Sequence, residues 1–321
     1  MPPGAGAAPG RGGTARAWAE LLRVSALFTV PGDALAGAAS AGLRPNRGTA
    51  LAVVASLCLY EAGMALNDWA DRHEDAIDRP HRPIPSGRVT PSAAFAAASS
   101  LTAAGLALAA RAGRVPLAVA TSLAVMVWSY DLHLKHTPAG PAAMASARAL
   151  DLLLGASATR PGALRAALPS AGLLGAHTCA ITSVSRHEVQ GGSTTAPLAA
   201  LATALTVAAT TSRPGPRSEG RPAPRSPEDA GGGRRDAGVR RLRATTGLLA
   251  ATYAHATLTP FLHAALNPSP PLTQRAVGAG IRAMIPLQAA LAARTGATGT
   301  GLAVLALVPV ARRLARKVSP T

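Results

Sequence analysis

Asn67-Asp68-Trp69-Ala70-Asp71-Arg72-His73-Glu74-Asp75-Ala76-Ile77-Asp78 follows directly on an Ala-rich apolar run and holds five of the chain's fifteen acidic residues. On one continuous helix, at about 100° per residue, Asp68, Asp71, Asp75 and Asp78 fall within roughly 80° of one another while Glu74 points away. Such a face repels itself unless a cation sits on it. Hard carboxylate oxygens suit Mg²⁺, which binds through one or two carboxylates together with phosphate oxygens. The plainer reading is a solvated, acidic helix end. The next stretch argues against it: Arg79-Pro80-His81-Arg82-Pro83-Ile84-Pro85-Ser86-Gly87-Arg88 is a proline-stiffened basic loop beside the acidic face. The combination reads as a site for a diphosphate.

Away from this stretch the 321-residue chain is 48% hydrophobic, with a net charge of +17 and a mean hydropathy of +0.22. Its charges are concentrated in short stretches separated by long Ala/Leu/Val runs, the pattern of a membrane protein. Aromatic residues make up only 3%, so the helices are expected to hold together by close backbone approach and not by bulky side chains. Apolar segments lie at roughly 17–41, 49–67, 91–111, 114–130, 141–159, 164–184, 194–211, 244–266, 274–293 and 297–311. No stretch alternates as a strand does. The apolar segments make nine or ten spans, with Arg275, Gly278, Arg282 and Pro286 interrupting the ninth segment. The expected fold is all-α, a polytopic transmembrane bundle of about nine helices around a central cavity, covering residues 17–311. Residues 1–16 read as a disordered tail without a signal-peptide core, 212–243 as a disordered basic linker, and 312–321 as a basic tail.

Nine of the 32 Lys and Arg residues fall between Arg213 and Arg243 and four more at the C-terminus. No aromatic-studded basic sheet or recognition helix accompanies them. A nucleic-acid partner is therefore not expected, and membrane lipid headgroups are. Cys58 and Cys179 both lie in apolar runs, which implies no disulfide framework.

The order of segments adds a topological constraint. The acidic motif follows the second segment, a polar loop at 130–140 follows the fourth, and another at 185–193 follows the sixth. All three loops should emerge on one side, over one mouth of the bundle.

N-D-x-x-D-x-x-x-D followed by R-P-x-R-P-I-x-S-G resembles the first signature of the UbiA-type membrane prenyltransferases. Asn67, Asp68, Asp71, Asp75, Arg79, Arg82, Pro83, Ile84, Ser86 and Gly87 carry the match. The resemblance implies nine helices and an integral protein of the cell membrane with its motif loops in the cytoplasm. It also implies transfer of a prenyl group from a prenyl diphosphate to an acceptor that the sequence does not identify. Asp68, Asp71 and Asp75 would then hold Mg²⁺, with Asn67 beside them and Arg79, Arg82 and Arg88 on the phosphates. Tyr130-Asp131-Leu132-His133-Leu134-Lys135 resembles the family's Y-x-x-x-K element with one extra residue; Lys135 would bind phosphate, Tyr130 would line the site and Asp131 would be a further metal contact.

The third loop departs from the family. Where a second aspartate-rich motif is expected it reads Ser185-Arg186-His187-Glu188-Val189-Gln190-Gly191-Gly192-Ser193. Glu188 alone supplies a carboxylate and Arg186 a cation, which puts a two-metal clamp in doubt and leaves an alternative: a prenyl-lipid binding or transport protein that keeps only the first diphosphate site. A CDP-alcohol transferase is disfavoured, because the D-G-x-x-A-R pattern is absent.

Ionisable residues inside the spans complete the candidates. Glu61 lies two helical turns before Asp68 and is the candidate base or hydrogen-bond acceptor on the acceptor side. Arg148 and Asp151, three apart, are expected to pair with each other. His177, His255 and His263 stand singly and read as bundle residues, with no zinc site.

Overall fold

The computed structural model describes residues 11–23, 27, 29–215, 232–306 and 309. Among them are twelve α-helices and no strand: α1 (Arg11–Leu21), α2 (Val30–Ser40), α3 (Arg47–Ala70), α4 (Arg72–Asp78), α5 (Pro91–Ala112), α6 (Arg114–Ser129), α7 (Gly140–Thr159), α8 (Leu164–Ser185), α9 (Thr195–Thr211), α10 (Gly232–Leu266), α11 (Pro270–Ala293) and α12 (Thr298–Leu305). By length and composition, α3, α5, α6 with its continuation to Leu134, and α11 can each cross a membrane. The bundle is an integral membrane architecture.

Several segments differ from their sequence reading. The 17–41 stretch is two helices, α1 and α2. α11 runs unbroken through Pro286 and is buried along most of its length, because neighbouring helices compensate for a proline inside a bundle. Residues 11–16 are helical in α1, and α10 begins at Gly232, inside the stretch assigned to the linker. The rest of the N-terminal tail, residues 216–231 and the C-terminal tail lie outside the described residues.

Local signals set the helix ends. Asn46 caps α3 reciprocally: its side chain accepts from the Thr49 N–H (3.1 Å) while Thr49 Oγ1 accepts from the Asn46 N–H (2.9 Å). Thr90 caps α5 through the Ala93 N–H at 3.2 Å, with Pro91 in the first turn. Packing then follows from small side chains. A Cβ on Gly37 would lie 2.0 Å from the Leu152 carbonyl oxygen, and one on Gly155 would lie 2.3 Å from the Ala34 backbone. α2 and α7 therefore touch backbone to backbone, as the shortage of aromatics requires.

This close approach decides a pairing. Arg148 on α7 does not pair with Asp151; its Nη1 donates to Asp33 Oδ2 on α2 (2.6 Å) and its Nη2 to Thr29 Oγ1 (3.0 Å). Asp151 accepts instead from Ser56 on α3. Gln288 on α11 joins this buried network by donating to Asp33 Oδ1 at 2.6 Å. Partners on facing helices displace a weak contact three residues apart on one helix. His177 is a bundle residue, accepting from the Tyr253 hydroxyl (2.9 Å) and donating to the Gly280 carbonyl (3.1 Å).

Candidate active site

The acidic stretch is not one straight helix. α3 ends at Ala70 and α4 starts at Arg72, with Asp71 at the join (φ −85°, ψ 3°). The hydrogen bonds from the Asp71 N–H to Asn67 O (2.9 Å) and from the Asp75 N–H to Asp71 O (2.8 Å) persist across it. Asp68 and Asp75 are buried and Asp71 is half-buried, but Asp78 is exposed, so three carboxylates and not four belong to the site.

Arg82 organises the first two. Its Nη1 lies 2.6 Å from Asp75 Oδ2 and 3.4 Å from Asp68 Oδ1. Arg79 Nη1 stands 3.6 Å from Asp75 Oδ1. Arg23 Nη2 reaches Asp68 Oδ1 at 3.4 Å from the connection after α1. Sequence reading missed Arg23, although a lone cation between apolar residues was the available signal. Arg88 is committed elsewhere: its guanidinium grips Glu20 on α1 at 2.7 and 3.1 Å and the His81 carbonyl at 2.6 Å. It clasps the basic loop, whose turn Gly87 permits with a φ of +73°.

Asp71 takes a different neighbourhood, ion-paired with Lys135. Its carboxylate also lies within 4.8 Å of donor atoms of Glu74 and His136. Glu74 was expected to point away and His136 was not singled out; the bend at Asp71 re-aims α4. Among the described residues, Asp68 and Asp75 do not join such a group with Asp71.

Lys135 reaches Asp71 because Tyr130–Leu134 forms a π-helical turn, closed by the Lys135 N–H on Tyr130 O at 3.0 Å. A π turn absorbs one extra residue within a helix. The additional residue between Tyr130 and Lys135 is therefore taken up in the turn, and the lysine still faces the acidic stretch. In the same turn Asp131 accepts from Asn67 Nδ2 at 3.2 Å. Tyr130 is half-buried beside them.

The third loop joins this mouth through Arg186, which donates to the Thr137 carbonyl, and is fixed behind by the Gly192 N–H on Pro268 O at 2.8 Å. Arg186 and Glu188 form no ion pair with each other. Burial pushes the Glu188 carboxyl above its ordinary value, and the charge of Arg79 offsets this only in part. Glu61 is half-buried on α3 and has no hydrogen-bond or ion-pair partner among the described residues.

Three polar loops are thus tied together at one end of the bundle, with carboxylates and cations interleaved. The donor chemistry fits a divalent cation: buried carboxylate oxygens of Asp68 and Asp75 already converge on a single positive nitrogen, and Asp71, ion-paired with Lys135, supplies a third carboxylate from the join between α3 and α4.

Comparison with known proteins agrees with this geometry. The profile of the UbiA prenyltransferase family matches residues 25–212. The digeranylgeranylglyceryl phosphate synthase of Methanopyrus kandleri is 39% identical over 128 residues, which are 38% of this chain and 45% of that protein. The 33 kDa chain of the bacteriochlorophyll synthase of Rhodobacter capsulatus is 41% identical over 78 residues, 23% of this chain and 26% of that one. The chain thus spans half or less of the length of these curated relatives. The solved apo structure of a UbiA homologue from Aeropyrum pernix K1 superposes with a TM-score of 0.61 at 16% identity, covering 88% of this chain and 98% of that one, a likeness of fold. The motif, the mouth it builds and the profile match over more than half of the sequence agree: the chain belongs to the UbiA prenyltransferase family.

Proposed function

We propose that the protein transfers a prenyl group from a prenyl diphosphate to a nucleophilic acceptor at the mouth formed by the three polar loops. The observation that carries this reading is the convergence of Arg82 and Arg23 on Asp68, beside the Lys135–Asp71 pair. Cations and carboxylates interleaved in this way can exchange partners when a diphosphate and its counter-ion arrive.

In this reading Asp68, Asp71 and Asp75 hold Mg²⁺, which supplies charge neutralisation to the departing diphosphate. Arg79, Arg82, Arg23 and Lys135 turn from the carboxylates to the phosphate oxygens and stabilise the negative charge that grows on them. Asn67 holds Asp131 in place through its side-chain amide. The bond from the first prenyl carbon to the diphosphate oxygen breaks, the acceptor nucleophile bonds to that carbon, and the acceptor's proton passes to a base, for which Glu61 is the candidate. Ala-rich helices surround the prenyl chain and exclude water from the allylic cation.

The relatives named above are synthases of two different products, digeranylgeranylglyceryl phosphate and bacteriochlorophyll, so their names select no single acceptor class. By the same resemblance the motif loops face the cytoplasm and the bundle lies in the cell membrane.

A second reading, prenyl-lipid binding without turnover, draws on the single carboxylate of the third loop. Radiolabelled prenyl diphosphates of several lengths, incubated with membranes holding the protein, Mg²⁺ and a cell extract, decide between them. A labelled lipid product absent from the Asp68→Ala/Asp71→Ala variant supports transfer. Bound donor with no product supports the second reading.

A further inference from the structure

The end of the bundle away from the mouth carries the opposite charge pattern. The turns 41–46, 160–164, 212–215 and 294–297 meet there, as shown by Asn46 Nδ2 donating to Thr159 O (3.0 Å), the Gly215 N–H to Arg294 O (2.9 Å) and Thr295 Oγ1 to Ala39 O (2.6 Å), and the 112–114 turn joins them across a groove lined by both Arg114 and Leu164. Arg44, Arg47, Arg111, Arg114, Arg160 and Arg165 are all exposed at this end. Every described ion pair lies at the mouth or inside the bundle, and none involves these six.

Their positions lack an internal rationale. Arg47 and Arg114 are the first residues of α3 and α6, and Arg165 is the second of α8. A cation there opposes the positive end of the helix dipole, so an anion from outside is favoured by both the side chain and the helix end. Two grooves open at the same end. One, of about 320 Å³, is lined by Val115, Val119, Leu150 and Leu164, with Arg114 at its edge. The other, of about 420 Å³, is lined by Leu35, Val53 and Val54, and ends at Pro45 and Asn46 between Arg44 and Arg47. Each joins an apolar slot to an unpaired arginine.

We propose that this end binds anionic phospholipids, the headgroup phosphates resting on the arginines at the helix starts and one acyl chain lying in each groove. The charge requires an anionic headgroup, and the apolar slots require a chain attached to it. Such lipids fix the depth and tilt of α3 and α6, the two helices that carry the acidic motif and Lys135 at their far ends.

The full-length protein in nanodiscs of equal POPC and POPG, analysed by native mass spectrometry, tests this. The wild type should retain POPG in preference to POPC. Arg47→Gln, Arg114→Gln and Arg165→Gln should each lower that preference about fivefold, from about 1 kcal/mol per arginine near a charged surface. Added NaCl should lower it too, and Arg72→Gln at the mouth should leave it unchanged. Because the six arginines have no ion-pair partner among the described residues, the triple variant should melt as the wild type does in POPC and lose only the rise in melting temperature that POPG gives. Equal retention of both lipids by the wild type, or an undiminished preference in the triple variant, overturns the proposal. So does a preference that appears only after deletion of residues 216–231, since Glu219, Glu228 and Asp229 would then be the partners of these arginines.

Discussion

Arg82 Nη1 sits 2.6 Å from Asp75 Oδ2 and 3.4 Å from Asp68 Oδ1, so a single guanidinium bridges two buried carboxylates seven residues apart, and Arg23 on Asp68 and Arg79 on Asp75 supply the rest of the counter-charge. The motif is therefore self-compensated before any ligand arrives. The arginine that compensates the two carboxylates is also one of those to which the proposed function gives a phosphate contact.

Arg82→Gln leaves both carboxylates short of a counter-charge in a buried setting, and breaking such a pair costs about 3–5 kcal/mol. The variant should melt well below wild type in detergent. Adding Asp75→Asn to it should recover much of that stability while donor binding, followed with a radiolabelled prenyl diphosphate, stays lost. Recovery of binding together with stability would reduce Arg82 to a structural residue.

The π turn at Tyr130–Leu134 makes a separate prediction. If it only absorbs the extra residue, deleting exposed Leu132 should let the segment relax to an α-helix and keep Lys135 one turn beyond Tyr130. The deletion should retain donor binding, whereas Lys135→Met should lose it. Loss of binding on deletion, in a protein that still inserts and melts as wild type, would show that the π geometry itself is required.

Burial raises the Glu188 carboxyl above its ordinary value, which makes a prediction in pH. A raised carboxyl pKa means that the folded protein holds this proton more tightly than the unfolded chain. The stabilisation is complete below the ordinary carboxylate range and is lost as the pH rises through the folded value. Glu188→Gln should therefore raise the melting temperature relative to wild type near about pH 7 and change it little near about pH 4. A lower melting temperature at neutral pH would mean that the ionised carboxylate is used, by Arg79 or by a metal.

Much of this molecule was legible in the chain. The charge gaps between Ala-rich runs marked the helices, and the even number of segments between polar loops placed Asp71, Lys135 and Arg186 at one end before any contact was known. What escaped depended on distances across the bundle. The Arg148 pairing could not be read from a spacing of three, because Gly37 and Gly155 bring α2 so close that Asp33 competes. Glu74 was misjudged because the periodicity argument assumed a straight helix through Asp71, where the backbone bends, and its neighbour His136 was passed over. Arg23 sits with φ at +49°, in a connection that hydropathy alone merged into one long span.

Loop convergence can be tested without any activity. With Cys58 and Cys179 replaced, cysteines introduced by Ser86→Cys, Thr137→Cys and Ser193→Cys should label from the same side of a sealed vesicle with an impermeant thiol reagent, and Arg114→Cys from the other. Labelling of Ser193→Cys from the Arg114 side would break the topology and the site with it.

The backbone contact between α2 and α7 yields the last prediction. A Cβ at Gly37 would fall 2.0 Å from a carbonyl oxygen of the facing helix, and no flexible side chain is there to move aside. Gly37→Ala must push the helices apart, costing about 1–3 kcal/mol or more as overpacking does. The same shift draws Asp33 away from Arg148, so the ion pair between them weakens as well. Gly172→Ala on α8, where nothing lies within 4 Å, is the matched control; it should be neutral or slightly stabilising, since alanine is the better helix former. Melting curves of the two variants in one detergent measure the difference, and equal stabilities would mean that α2 and α7 are not held at backbone contact.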